Sequence, residues 1–288
     1  MTDKELWKNF NLGTELDISG TFIFNGLDTF NKMKNFYYED EIFEFLYNIS
    51  VGVERLLKII ILLNDNSSNI KTHNYEKLFE IIRLKYEINF EKIHNQFIKI
   101  LNSFYNKYRY DRFNFSADNK YNKEKEELVC FFNKNTTMTI KNDFKNEITP
   151  NNDNLKIFIG NVVGCIINNL YNIIKDESLK QNIFIYEIRA YSKSYKIFCL
   201  KEFNFLNDRV KKLELLLYVL ANKNKSEILS LLETLELDYS EIDRYVSLLI
   251  DENFSLKSDE AFLEDNNLIE RKEKIKNLIE ILDIQYGK

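Results

Sequence analysis

The chain has few of the residues that usually form turns: its 288 residues include one proline and seven glycines. A many-stranded sheet needs such residues at its turns, so their scarcity argues against a β protein. Hydrophobic residues make up 44% of the chain and aromatic residues 14%, which is enough for a sizeable core and argues against a disordered polymer. Long runs rich in leucine, isoleucine, lysine and glutamate favour helices. We therefore predict an all-α protein.

Cysteine and histidine are also scarce. The three cysteines, Cys130, Cys165 and Cys199, are widely spaced and include no CxxC pair, so neither a zinc site nor a disulfide framework is expected. The chain has only two histidines, which argues against histidine-based metal sites and against a Ser-His-Asp triad. No GxGxxG or GK[ST] loop is present to hold a phosphate. We expect no metal and no cofactor.

We recognise no segment in the sequence that would direct the chain to a membrane. Its first residues are not a basic stretch followed by an apolar one, and the apolar run at residues 59–63 is far too short to span a bilayer. We therefore expect a cytoplasmic protein that makes no membrane contact.

The net charge of −5 is unevenly distributed. Residues 225–288 carry 16 acidic and 8 basic side chains, which leaves 29 acidic and 32 basic side chains in residues 1–224. A mildly basic body is compatible with binding a polyanion on one face, although solvated helix surfaces produce the same statistics.

Apolar residues recur at three- and four-residue spacing, which is the period of a helix with one apolar face. Helices are predicted at residues 4–10, 27–37, 39–63, 72–87, 90–113, 155–174, 181–205, 208–222, 226–236, 240–253 and 267–284. Thr72 or Asn74 is suited to cap the fourth of these. A turn is predicted at residues 17–20, and a short strand fits only residues 136–140.

Two polar stretches, at residues 116–127 and 147–155, indicate how the chain divides. The predicted parts are an N-terminal helical bundle at residues 1–116, a polar connecting segment at residues 117–154, and a helical C-terminal region at residues 155–288 that is acidic toward its end. Within the last part, Gly160 and Gly164 lie four residues apart on one helix face, a spacing that permits another helix to approach closely.

Three neighbouring segments carry the most informative motif. An apolar helix bearing Glu54, Arg55 and Lys58 is followed by a Thr-His-Asn helix start at residues 72–74, and a third helix ends in the aromatic and arginine-rich run of residues 108–113. This pattern resembles the HEPN superfamily of helical bundles, which is common in prokaryotic toxin–antitoxin and anti-phage defence systems. The resemblance covers residues 51–113 and implies a HEPN-like helical bundle, here with additional C-terminal helices.

Active HEPN ribonucleases carry an arginine and, after four to six intervening residues, a histidine. From Arg109 those positions are residues 114–116, which hold Asn, Phe and Ser, and Arg112 and Arg189 lack the histidine as well. Metal-independent RNA cleavage needs a group that can accept the 2′-hydroxyl proton near neutral pH, and an amide such as that of Asn114 cannot do so. The arginine can still hold a phosphate through paired hydrogen bonds, so this departure favours a binding protein.

The resemblance also implies a homodimer, because HEPN domains commonly pair through their bundle faces. In that arrangement Tyr108, Arg109, Tyr110 and Arg112 would line a cleft between protomers and contact phosphate or bases. His73 matches the superfamily pattern at the start of the second helix, where a structural hydrogen bond and a role in the site are both open.

A second basic and tyrosine-rich segment lies at residues 185–196. On the predicted helix, Arg189 and Lys193 share one face, where they would offer cations to a nucleic acid while nearby tyrosines stack on its bases. The same composition also suits a helix edge that packs its tyrosines and keeps its lysines in water.

Three functions follow as hypotheses. The leading one is a HEPN-like protein of prokaryotic defence or toxin–antitoxin type that binds RNA, a nucleotide or a partner protein without an intact ribonuclease motif. The second is a divergent, metal-independent HEPN ribonuclease in which Arg109 and His73 are catalytic. The third is a purely protein-binding antitoxin or inhibitor, whose acidic tail docks on a basic partner protein from the same operon.

Overall fold

Helices make up almost all of the regular structure in the computed structural model of this chain, which describes residues 2–64, 71–111, 113, 123–143 and 147–205. The helices are α1 (Asp3–Trp7), α2 (Gly13–Lys32), α3 (Glu39–Asn64), α4 (Tyr75–Arg83), α5 (Lys92–Ser103), α6 (Arg109–Asp111), α7 (Lys123–Asn135), α8 (Asp153–Lys180) and α9 (Lys193–Phe198). Two π-helical turns, Lys8–Leu12 and Phe104–Tyr108, join α1 to α2 and α5 to α6. The predicted all-α class is therefore confirmed for these residues, and the HEPN-like assignment stays a prediction.

The described helices all belong to the first of the two units into which the chain divides, Met1–Phe205. In the first unit α8 packs against α3 and α5, so the segments before and after residues 117–154 share one core. The sequence pattern places these segments in separate parts of the chain. The helices predicted after residue 205 and the acidic C-terminal region lie outside the described residues.

Helix α3 forms the centre of the first unit. Its apolar residues are distributed around most of its circumference, and side chains on every side of it are buried between residues 48 and 61. Helices α2, α4, α5, α7 and α8 all contact it. A helix that is apolar on all sides has to be covered on all sides, and this explains its central position.

Helices α2 and α3 pack closely and run antiparallel. The hydroxyl of Ser19 donates to the carbonyl of Gly52 at 2.8 Å, and a Cβ on Gly52 would lie 2.5 Å from Ile23. The turn predicted at residues 17–20 is therefore wrong, because this segment lies within α2. Gly20 instead allows α9 to pack closely against α2, because a Cβ at residue 20 would lie 2.5 Å from the Cβ of Ser194 in α9.

Helix α8 is long and apolar enough to cross a membrane, and it is the one such helix among the described residues. In this fold 56% of its most apolar window is buried in the protein. The close approach predicted at Gly160 and Gly164 is present, but its partner is not a helix. The backbone carbonyl of Phe203 covers Gly160, and the ring of Phe203 covers Gly164.

The long helix predicted at residues 181–205 is wrong. Asn182 ends α8 in the left-handed conformation, at φ 52°, and Tyr191 adopts a second positive φ of 63°. A right-handed helix cannot pass through such residues, so only α9 forms, with Ser192 as its N-cap.

The strand predicted at residues 136–140 is also wrong. Strands β1 (Asn142–Asp143) and β2 (Glu147–Ile148) form a short antiparallel pair just after that segment. Residues 136–140 instead follow the end of α7, where the N–H of Ile140 donates to Oδ1 of Asn133 at 2.7 Å.

Candidate functional site

A pocket of about 550 Å³ opens between the N-terminal segment (residues 3–12), α2 and α3. Its volume lies in the range of small-molecule sites in proteins, which is roughly 300–1,000 Å³. The acidic and basic side chains in its lining are Glu15, Glu54, Arg55, Lys58 and His73. Trp7 and Tyr105 contribute aromatic rings to the lining.

The N-terminal segment and α3 run antiparallel, and this fixes the order of the lining residues along the pocket. Lys8 donates to the carbonyl of Leu63 at 2.7 Å, and Arg55 forms a salt bridge with Glu15. Moving along α3 from residue 54 toward residue 63 therefore means moving from α2 back toward α1. As a result, one end of the pocket lies at Glu54 and the other lies near Leu62.

Glu54 is the central side chain of this site. It is 5% exposed, although it lies in the most apolar part of α3. Its Oε1 accepts from Nδ1 of His73 at 3.0 Å and forms a salt bridge with Lys58, one helical turn further along. A buried carboxylate is costly unless it is paired, and these two partners supply the pairing. With Nδ1 bound to Glu54, Nε2 is the ring nitrogen of His73 left for a ligand.

Capping at the start of α4 holds His73 in place. Asn74 is the N-cap, and its side chain accepts from the N–H groups of Glu76 and Lys77 at 2.9 and 3.3 Å. The side chain of Asn106 donates to the His73 carbonyl at 3.1 Å. The backbone of residue 73 is therefore fixed from both sides, while half of its imidazole stays exposed.

Tyr105 forms the wall beside His73 and connects it to Arg109. The ring of His73 lies 5.7 Å from that of Tyr105, edge to face, and Cζ of Arg109 lies 3.9 Å from the same ring. Burial raises the pKa of the Tyr105 hydroxyl, the charge of Glu54 raises it further, and Arg109 acts in the opposite direction. Arg109 and His73, the two residues predicted to be catalytic, therefore both contact the ring of one tyrosine.

Arg109 is held between two rings rather than extended into solvent. Its Cζ lies 4.6 Å from the ring of Tyr110, which is 57% exposed, in addition to its contact with Tyr105. Its Nε is buried and has no hydrogen-bond partner among the described residues. Such an unmatched donor is costly in a protein interior.

The other residues predicted at this helix end have different surroundings. The hydroxyl of Tyr108 donates to Glu127 of α7 at 2.5 Å, and burial together with this bond raises the pKa of Tyr108 to about 12. Arg112 lies outside the described residues. The homodimer and its cleft stay predictions.

Arg189 and Lys193 lie outside the lining of the pocket. Arg189 is exposed in the non-helical segment before α9, and Lys193 is the first residue of α9, so the helix face they were predicted to share does not exist. Nζ of Lys193 donates to the side chain of Asn25 at 2.7 Å and lies 5.3 Å from the ring of Phe24. Neither residue belongs to the lining of the pocket.

Sequence reasoning missed Trp7, Glu15 and Tyr105 as members of one site. It included Glu54 only as part of a motif. A signal was available for Glu54, because it lies eight residues after the buried Leu46 on a helix whose neighbouring positions are apolar. No sequence signal pairs Glu15 with Arg55 across 40 residues.

The described residues include no group of three or more His, Cys, Asp or Glu side chains that could hold a metal ion. Comparisons of the chain with protein families, with curated proteins and with solved structures found no match.

Proposed function

We propose that this protein binds a phosphate-bearing ligand, a nucleotide or an RNA strand, in the pocket at Glu54 and His73. The observation that carries the proposal is the arrangement of Arg55, Lys58 and His73 in one concave lining. Arg55 and Lys58 lie three residues apart and so are neighbours on the surface of α3. The HEPN-like resemblance points to the same class of ligand, in a prokaryotic defence or toxin–antitoxin setting.

The acidic side chains of the pocket position these cations. Glu15 holds Arg55, and Glu54 holds Lys58 and His73. The side chains of Arg55 and Lys58 are 33% and 22% exposed, so their remaining N–H groups stay accessible to a ligand. A guanidinium with a fixed orientation loses little freedom when it binds a phosphate oxygen. Because the acids balance the cations, specificity in this pocket comes from geometry rather than from excess positive charge.

Equilibrium binding of a fluorescent oligoribonucleotide and of AMP to the full chain tests the proposal. We expect Arg55→Gln and Lys58→Gln to weaken binding about tenfold or more, since each removes a charged hydrogen bond. Affinity in the wild type should also fall as salt rises, because neutralised phosphates release counterions.

Arg189→Gln is the matched control, because it removes an exposed cation that does not line the pocket. It should bind as the wild type does. Absence of binding by the wild type at low salt would overturn the proposal, and so would an equal loss in Arg189→Gln.

A second candidate function, metal-independent RNA cleavage, is favoured by one observation: His73 and Arg109 both contact Tyr105, and Glu54 orients the imidazole of His73. In such a reaction Nε2 of His73 takes the proton of the ribose 2′-hydroxyl. The 2′-oxygen then bonds to phosphorus as the bond from phosphorus to the 5′-oxygen breaks, and the leaving oxygen takes a proton from water.

This candidate is tested by incubating the protein with total RNA and a chelator. Cleavage that is lost in both His73→Ala and Arg109→Ala would support the enzyme. Intact RNA after incubation with the wild type would remove this candidate and leave the binding proposal standing.

A further inference from the structure

Trp7 lies at the end of the pocket opposite His73. It precedes Lys8, whose ammonium group binds the carbonyl of Leu63, and it lines the pocket together with Leu62. Glu54, which holds His73, lies eight residues before Leu62 on α3. Eight residues span about 12 Å along a helix. Lys58 lies midway, one helical turn or about 6 Å from either end.

The indole of Trp7 is accessible to a ligand. Trp7 is the only tryptophan of the chain, it is 49% exposed, and its ring stacks on no other ring among the residues that the structure describes. An aromatic face left open beside cations is the arrangement with which proteins bind single-stranded nucleic acids, because every base has a face that can stack.

The surroundings of Trp7 are polar enough for the edge of a base. Asn11 and Thr14 line the pocket near Trp7, and the side-chain N–H of Asn11 donates to the Trp7 carbonyl at 3.0 Å. The amide oxygen of Asn11 therefore remains as an acceptor for an amino group. A purely apolar occupant would remove the amide oxygen of Asn11 and the remaining N–H groups of Arg55 and Lys58 from water without giving them partners.

We propose that Trp7 stacks on the base of a nucleotide whose phosphate is bound by Arg55 and Lys58. The pocket then takes nucleotide units, free or at the end of an RNA strand, in preference to inorganic phosphate or a sugar phosphate. This inference rests on the phosphate binding proposed above and adds the base as the second determinant.

Titrations of the full chain with AMP, ribose 5-phosphate and inorganic phosphate test the inference. AMP should change the Trp7 fluorescence and bind about 5- to 150-fold more tightly than ribose 5-phosphate, which is the range that stacking on one aromatic ring provides. Trp7→Leu should lower the affinity for AMP to that for ribose 5-phosphate, as measured by calorimetry, and should leave ribose 5-phosphate binding unchanged. Trp7→Phe should keep part of the preference.

Phe10→Leu is the matched control. Phe10 belongs to the same segment and is 68% exposed, but it does not line the pocket. It should keep the wild-type preference for AMP. An equal loss of preference in Phe10→Leu would place the base on the outer surface and overturn the inference.

The failure of this inference differs from the failure of the proposed function. If AMP and ribose 5-phosphate bind equally and Trp7→Leu changes neither, the base subsite is wrong while the phosphate site stands. If none of the three ligands binds, the inference is wrong. If the oligoribonucleotide fails to bind as well, the proposed function is wrong too. Thermal unfolding of each variant confirms that the folded state is being measured.

Discussion

Oε1 of Glu54 lies 3.0 Å from Nδ1 of His73, and the bond joins the middle of α3 to the residue that precedes the N-cap of α4. The same carboxylate oxygen holds Lys58. A single buried acid thus positions a lysine from its own helix and a histidine that is distant in the sequence, and it does so in the floor of the pocket.

Replacing Glu54 by glutamine should destabilise the protein by about 1–3 kcal/mol, because a buried charged hydrogen bond is lost and Lys58 loses its counter-ion. Urea unfolding monitored by circular dichroism measures this loss. The imidazole of His73 should also become mobile, which its NMR line widths and tautomer populations would show.

The control for Glu54 is Glu15→Gln. Glu15 also holds a cation of the pocket, but its side chain is 42% exposed. An exposed ion pair contributes less than about 1 kcal/mol. Equal destabilisation by the two variants would contradict the central role of Glu54.

Gly20→Ala should destabilise the protein by about 1–3 kcal/mol, even though alanine favours helices. A Cβ at Gly20 would lie 2.6 Å from Cα of Ser194, so α9 would have to move away from α2. Gly13→Ala, in the first turn of α2, meets nothing closer than 3.9 Å and should be neutral or stabilising by up to about 1 kcal/mol. Thermal unfolding of the two variants tests this ordering, and a Gly20→Ala protein as stable as Gly13→Ala would refute it.

Glu177 should make the stability depend on acid pH. Burial raises the pKa of its carboxyl, but hydrogen bonds from Tyr86 and Gln181 and the charges of Lys85 and Lys180 outweigh burial, so that the pKa is lowered overall. A carboxyl whose folded-state pKa is lowered contributes stability above its unfolded pKa, and this contribution is lost as pH falls through the folded value. The free energy of unfolding should therefore fall less steeply between about pH 5 and pH 3 in Glu177→Gln than in the wild type.

Urea unfolding at several pH values gives both slopes. Glu80→Gln, which removes an exposed carboxyl from α4, serves as the comparison and should follow the wild type. Identical slopes for Glu177→Gln and the wild type would rule out this role for Glu177.

Lys8→Met should destabilise the protein by about 1–2 kcal/mol. The Lys8 ammonium is buried, and it donates to the Leu63 carbonyl at the end of α3 and to Oε1 of Gln181 at 2.8 Å. A cation at a helix C-terminus also interacts favourably with the helix dipole. Burial lowers the pKa of this ammonium group. Lys4→Met, at an exposed position of α1, should change the unfolding midpoint little. Equal effects of the two substitutions would argue against a stabilising role of Lys8 at the end of α3.

Several features of the fold could be predicted from the sequence because they depend on local patterns. The apolar period over residues 39–63 predicted α3 almost to its ends, and Asn74 was recognised as a suitable cap for α4. Predictions failed where distant contacts override local preference. Residues 17–20 have turn-like composition but are helical, since Gly20 fits against α9 and Ser19 binds Gly52.

The sequence by itself determined that this protein is built of helices, which residues face the core of the longest ones, and that no histidine follows its arginines at ribonuclease spacing. These properties follow from helical period and from composition, both of which are local. Only the tertiary structure decided that Trp7, Arg55, Glu54 and His73 line one pocket and that Arg109 reaches His73 through Tyr105. The register between antiparallel helices brings those residues together, and that register depends on how complete side-chain surfaces pack.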